Sequence, residues 1–136
     1  MKVKVSRKAH FNAAHRLYRP DWDEARNREV FGKCSNPHFH GHNYELIVSV
    51  TGAIDPETGF VVDMKVLKDL IRAEVEEALD HKNLNEEVPE FARLNPTAEN
   101  IAVVIWNKLR PHVKADLDLE VQLFETPRNF VTCNGR

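Results

Sequence analysis

The sequence predicts an α+β fold: an antiparallel sheet carrying two amphipathic helices, in the order strand, strand, helix, helix, strand, strand. Three observations predict it. Residues 3–15 and 42–50 alternate with a period of two. Residues 67–79 and 98–109 place apolar side chains at helical spacing. The strands stand in blocks before and after the helices instead of alternating with them, which argues against a parallel sheet. With 136 residues, the chain has the size of one domain spanning 1–136.

In the first strand Val3, Val5, Ala9, Phe11, Ala13 and His15 share odd parity, so they leave one face of an extended segment. Tyr18 to Asn36 is polar and irregular, long for a connection, and long ordered loops are often functional. Glu24 to Phe31 can form a helical turn or two within it. From His40 the alternation returns, with His42, Tyr44, Leu46, Val48 and Val50 on one face. Asp55-Pro56-Glu57-Thr58-Gly59 is a turn signature. Asp63 is an N-cap candidate for a helix carrying Leu67, Leu70, Ile71, Val75, Ala78 and Leu79 and stopping near Asp80. Thr97 caps a second helix, whose stripe is Ala98, Ile101, Ala102, Ile105, Trp106 and Leu109; Pro111 ends it. Leu117, Leu119, Val121 and Leu123 alternate as a strand, Pro127 breaks it, and Phe130 to Cys133 is a short final strand.

Hydrophobic residues make up 42% and charged residues 29%, an ordinary globular balance. A net charge of −2 gives no electrostatic footprint for nucleic-acid binding. No run reaches the ~18 apolar residues of a membrane helix. The start, Met1-Lys2-Val3-Lys4-Val5, has no apolar signal core, so a cytoplasmic protein is expected. Cys34 and Cys133 are not needed as a staple.

The unusual feature is histidine: 7 in all, four of them from His15 to His42. His40 and His42 leave the same face of an extended segment, about 6.5–7 Å apart at the backbone. Zinc sits about 2.0–2.1 Å from an imidazole nitrogen, so two such rings can converge on one ion. A third ligand must come from a neighbouring strand, and His15 has the right parity at the end of the first one. Three neutral imidazoles leave one open position, the arrangement of a catalytic zinc. The bland alternative is a set of surface histidines. His38 extends the period to a triple. Gly32 to Gly52 also carries the glycine–histidine–glutamate spacing of the first motif of the cupins, all-β metal barrels. The second cupin motif is missing after Gly52, and a cupin has no place for two amphipathic helices.

Cys34, six residues before His40, could serve as a base or nucleophile once ionised, or be an incidental loop cysteine. Asp80-His81 could form a dyad in which the carboxylate orients the ring and the ring takes the thiol proton, or simply end a helix. Glu125 continues the parity of Leu117 to Leu123. A carboxylate facing a core must be paired or bind something, such as a guanidine-like edge with two N–H donors; otherwise it faces water or pairs with Arg128.

Five stretches, in order and across nearly the whole chain, resemble the 6-pyruvoyl-tetrahydropterin synthase family, which includes the 6-carboxytetrahydropterin synthases of queuosine biosynthesis. They are Phe11-Asn12-Ala13-Ala14-His15-Arg16, the run from Cys34 to Tyr44, Leu79-Asp80-His81-Lys82-Asn83-Leu84-Asn85, Pro96-Thr97-Ala98-Glu99-Asn100 and Phe124-Glu125-Thr126. The resemblance implies the tunnelling fold, a four-stranded antiparallel sheet with two helices on one face, and a homohexamer built as a dimer of trimers. It implies zinc on His15, His40 and His42, with His38 outside the ligand set. It implies catalysis by Cys34, Asp80 and His81, and pterin binding by Glu125, Thr97 and Glu99; relatives often carry Thr or Ser where Ala98 stands. The implied activity is a zinc-dependent lyase that converts 7,8-dihydroneopterin triphosphate to 6-pyruvoyl-tetrahydropterin. The same substrate gives a 6-carboxyl product and acetaldehyde in the queuosine branch. Five residues separate Cys34 from His40, a spacing that resembles the 6-pyruvoyl branch.

Overall fold

The computed structural model describes all residues, 1–136. Its frame is a long hairpin, β1 (Lys2–His15) against β2 (His40–Ala53), antiparallel from Lys2↔Ala53 to His15↔His40. β4 (Asp118–Phe124) pairs antiparallel with β2, and β5 (Phe130–Cys133) with β4. The expected four-stranded antiparallel sheet is there, with one addition. A two-residue strand β3 (Lys82–Asn83) lies parallel to β1 on its outer edge, giving the order β3-β1-β2-β4-β5.

The alternation read from the sequence places one face of this sheet in the core. Phe11, Ala13 and His15 of β1, Tyr44, Leu46, Val48 and Val50 of β2, and Leu119, Val121 and Leu123 of β4 are all buried. Two helical rods cover that face only. The first, α2 (Met64–Ile71), continues through a π turn (Arg72–Glu76) into α3 (Glu77–Leu79). Its buried residues Leu67, Ile71, Val75 and Leu79 are spaced by four throughout. An α-helix turns every 3.6 residues, so a strict spacing of four drifts around the rod. The wider π turn absorbs the drift and keeps all four on the sheet. Asp63 caps the rod by accepting from the Lys65 N–H. The second rod, α5 (Ala98–Leu109), packs on β4 and β5; Thr97 caps it by accepting from the Asn100 N–H at 3.2 Å. Two helices over one sheet exclude the all-β cupin barrel.

The other sheet face is uncovered and polar. Ser6 and Ser49 meet hydroxyl to hydroxyl at 2.7 Å, and Lys4 donates to Glu120 at 3.1 Å. The long connection after β1 contains α1 (Glu24–Phe31) and a 3₁₀ turn (Gly32–Ser35). Asn27, buried beneath it, accepts from the Arg19 N–H and donates to the Arg19 carbonyl, which gives the loop a core of its own. A short helix α4 (Leu84–Glu87) follows β3. At Asp55 to Phe60 the expected turn forms, with Gly59 at φ 78, where glycine has no Cβ to clash. No helix is long and apolar enough to cross a membrane.

Candidate active site

The register of β1 and β2 brings three histidines to one end of the covered face. His15 stands directly opposite His40, and His42 opposite Ala13, whose methyl leaves room for the ring. The three ring centroids are 4.5, 5.1 and 5.0 Å apart, and one nitrogen from each lies within 4.8 Å of the others. His15 is fully buried. Its Nδ1 lies 2.7 Å from the Pro96 carbonyl. A carbonyl only accepts, so Nδ1 carries the proton and Nε2 presents a lone pair. Burial lowers the His15 pKa to about 4, opposed by the Pro96 carbonyl and assisted by His40 and His42. Burial likewise lowers that of His40, with His42 assisting. Burial thus favours the neutral form of His15 and His40, the form in which an imidazole binds a metal.

The donor set fits a metal. Both ring nitrogens of His40 and Nε2 of His42 are buried without a hydrogen-bond partner, an expensive state for an imidazole left to itself. A tetrahedral ion with bonds of about 2.0–2.1 Å holds its nitrogens roughly 3.3–3.4 Å apart, inside the span these rings occupy. His38 is exposed and outside the cluster.

Two supporting groups have no signal in the sequence pattern. One is the Pro96 carbonyl, a backbone atom from the other end of the chain. The other is Tyr44, fully buried and stacked on Phe11, whose hydroxyl lies 3.3 Å from His15 Nδ1. Burial first, then the negative potential of Glu125 and Cys34, raises its pKa far above that of a free phenol. Its period-two spacing from His42 marked it only as core.

Glu125 lies just past the end of β4, half-buried, its N–H bonded to the Asn129 carbonyl. Oε1 is 3.8 Å from His42 Nε2, and no ion pair links it to Arg128. The parity argument placed it on the core face; the strand's end instead puts it at the lip of that face. With Thr97, Glu99 and Leu17 it lines a cavity of about 400 Å³ beside the histidines. Thr97 Oγ1 already accepts the cap bond from Asn100.

Cys34 is half-buried in the 3₁₀ turn, and its carbonyl accepts from the Leu17 N–H at 2.8 Å. Burial, then Glu125, pushes the thiol's pKa up. Asp80 and His81 do not relieve it, because the fold takes them elsewhere. Asp80 Oδ1 accepts from the Asn12 N–H at 2.8 Å, and Oδ2 lies 3.0 Å from His81 Nδ1. His81 has φ 60, uncommon for a residue with a Cβ, and its N–H donates to the Asn12 carbonyl. His81 borders a shallow cavity with Asn12, Ala13, Ala14, Gly41, His42 and Asn43. The dyad expected from the sequence is formed, but Cys34 does not line its cavity.

The comparisons with known proteins agree with this geometry. The family description "6-pyruvoyl tetrahydropterin synthase" matches residues 4–136. The chain belongs to the 6-pyruvoyl tetrahydropterin synthase family. It is 44% identical over 133 residues to the 6-pyruvoyl tetrahydrobiopterin synthase of Pongo abelii, covering 98% of this chain and 92% of that one. It is 29% identical over 147 aligned positions to the 6-carboxy-5,6,7,8-tetrahydropterin synthase of Rickettsia bellii, covering 95% and 98%. The solved 6-pyruvoyl tetrahydropterin synthase of Caenorhabditis elegans superposes with a TM-score of 0.93 at 36% identity, covering 100% of this chain and 97% of that one. Membership in this family makes the chain a lyase acting on a pterin.

Proposed function

We propose that this chain converts 7,8-dihydroneopterin triphosphate to 6-pyruvoyl-tetrahydropterin and triphosphate, with zinc held by His15, His40 and His42. The observation that carries the reading is the juxtaposition of three clustered imidazoles, two of them with buried nitrogens lacking a hydrogen-bond partner, with a carboxylate-bearing cavity at one sheet end. When bound, zinc supplies a Lewis acid that acidifies the C–H and O–H bonds of the substrate's side chain.

The chain's own residues do the rest. Glu125 offers two acceptor oxygens to the adjacent N–H donors of the ring's aminopyrimidine edge. To do so it swings off His42 into the cavity, since two fused rings separate that edge from the reacting side chain. Thr97 and Glu99 border the ring. Cys34, as thiolate, takes a proton from the side chain. His81, with Nδ1–H given to Asp80, has Nε2 free to move a proton in later steps. The ring is reduced by electrons redistributed from its own side chain, so no redox cofactor is required.

Cys34 does not line the cavity of His81, which supports a reading in which the dyad serves the thiol of another copy. The uncovered polar face and the open edges at β3 and β5 support the same reading, because closing a sheet into a ring across subunits removes both liabilities. A homohexamer of two trimers is the assembly proposed. Two free cysteines suit the reducing cytoplasm proposed for it.

Incubation with 7,8-dihydroneopterin triphosphate and mass analysis of the product tests the function. A 6-pyruvoyl product with stoichiometric triphosphate is expected. Stoichiometric acetaldehyde would move the chain to the 6-carboxy branch, and an unconsumed substrate would refute both.

A further inference from the structure

At the end of the sheet farthest from the histidines, the β2–α2 segment and the α5–β4 connection bound an open groove of about 780 Å³. The β1–β2 register runs from Lys2↔Ala53 at this end to His15↔His40 at the other, about 40 Å away along the strands. The base of the groove is apolar. Leu67, Val113 and Leu117 are buried beneath it. Leu117 is seated so closely on β2 that a Cβ on Gly52 would come within 2.3 Å of it, which fixes the floor. Ile54, Phe60 and Val66 stand in the walls, 49%, 53% and 59% exposed. Single apolar residues on a surface need no explanation, but large ones gathered in one concave place mark a binding surface.

The charge around this groove is one-sided. Asp55, Glu57 and Asp63 come from one bounding segment and Asp116 from the other. None of the four forms an ion pair. Asp55 is held in place by accepting from the Glu57 and Thr58 N–H groups, and Asp63 by capping α2. Lys114 is the one permanent cation in the wall, and His112 lies 3.4 Å from Glu74.

These charges narrow the occupant. A second copy of the chain would set carboxylate against carboxylate, and an anionic lipid surface would be repelled in the same way. A small organic cation meets one carboxylate and leaves the others uncompensated. An apolar stripe bordered by cations satisfies floor and borders together, because lysine and arginine lay their methylene stems along apolar surface while their heads reach outward. An amphipathic peptide segment has that form. We propose that the groove docks an amphipathic segment of another protein, apolar along one stripe and bordered by lysine or arginine. Docking there leaves the histidine end open, so the partner holds the protein without blocking its reaction.

The test is fluorescence anisotropy of the assembled, zinc-loaded protein with two labelled peptides of about 15 residues, long enough for a helix to begin to hold in water. Both carry leucines along one face; one borders them with lysine, the other with glutamate. The lysine peptide should bind at least about tenfold more tightly, and less so as salt is added. Phe60→Ser with Val66→Ser should weaken it about tenfold or more, by removing apolar surface that the peptide covers. Glu57→Gln with Asp116→Asn should weaken it about tenfold. Glu29→Gln with Glu77→Gln, the same loss of charge at exposed positions outside the groove, should not. All six positions are exposed and far from the histidines' chemistry, so turnover should hold in every variant. Equal affinity for the two peptides, or an equal loss in the distant double variant, would reduce the attraction to net charge and overturn the proposal. Failure of the lysine peptide to bind would overturn it too. So would binding of anionic vesicles, or end-to-end association of assemblies, that Phe60→Ser with Val66→Ser abolishes, since the face would then belong to a lipid surface or a second copy.

Discussion

Asp80→Asn isolates the work of one carboxylate. Asp80 has two acceptors for two donors: the Asn12 N–H at 2.8 Å and His81 Nδ1 at 3.0 Å. An asparagine has one acceptor for the same two. The backbone N–H is fixed by the β1 edge and claims the amide oxygen; the amide NH₂ then faces His81. Facing a donor, the ring moves its proton to Nε2 and presents Nδ1 as the acceptor. Nε2 is then no longer a base, although the side chain has hardly moved. The fold should barely respond. The Asn12 bond survives, and the exposed Asp80–His81 contact contributes at most about 1 kcal/mol. The Asp80 carboxyl lies below its usual range, first because of the Asn12 N–H, then His81. Its contribution is therefore present above the ordinary carboxylate pKa and is lost as pH falls through the lowered one, so the variant's stability should be flatter only on the acid side. Turnover should drop by about 10²–10⁴, the value of a positioned acid–base group. The assay is kcat with zinc content and thermal midpoint measured on the same sample, and ¹⁵N chemical shifts for the His81 tautomer. A kcat within about twofold of wild type, with the tautomer inverted, would refute the reasoning.

The remaining expectations concern the other half of the site. Alanine at His15, His40 or His42 should strip most of the zinc, measured by elemental analysis, while His38→Ala should retain it. Cys34→Ala should keep zinc and lose turnover; loss of both would make the thiol a ligand. Glu125→Gln should weaken neopterin binding about tenfold or more in a fluorescence titration with zinc unchanged, because one acceptor becomes a donor facing a ring N–H. If the dyad acts across subunits, inactive Cys34→Ala and His81→Ala chains, unfolded and reassembled together, should recover about a quarter of wild-type activity by random pairing of half-sites. No recovery would place both groups in one chain's site.

The parts legible in the sequence were those in which one face is buried and the other wet. β1, β2 and β4 alternate because every second side chain enters the core, and that same parity marked His15 as the third histidine. Phe130–Cys133 was bounded by Pro127 and emerged as an edge strand. What escaped was held by the backbone. β3 is two residues long, too short for any period, and exists because Asn12 bonds both Asp80 and the His81 N–H. The π turn escaped because a spacing of four reads as ordinary helix until the drift is summed over three repeats. Glu125 shows the limit of parity, which continues on paper past the point where the Thr126–Asn129 turn ends the strand. No pattern within the chain could say that Asp80-His81 and Cys34 lie apart, since that depends on which edge of β1 the chain returns to.

That return explains why the site divides as it does. Asn12 and His15 are three residues apart on β1, about 10 Å along the strand and on opposite faces. His15 enters the core and meets His40 and His42. Asn12 uses its edge-facing backbone groups to hold Asp80 and His81, whose side chain is 78% exposed with Nε2 unclaimed. One strand end thus builds a candidate metal-ligand cluster on the covered side and, at its outer edge, an acid–base pair whose His81 shares a shallow cavity with His42. In the proposed assembly, association through the open face and edges would bury the surface a lone chain leaves open and bring a neighbour's Nε2 to the Cys34 thiol. On that proposal, separating the subunits parts His81 from the thiol it serves while leaving every element of each chain folded.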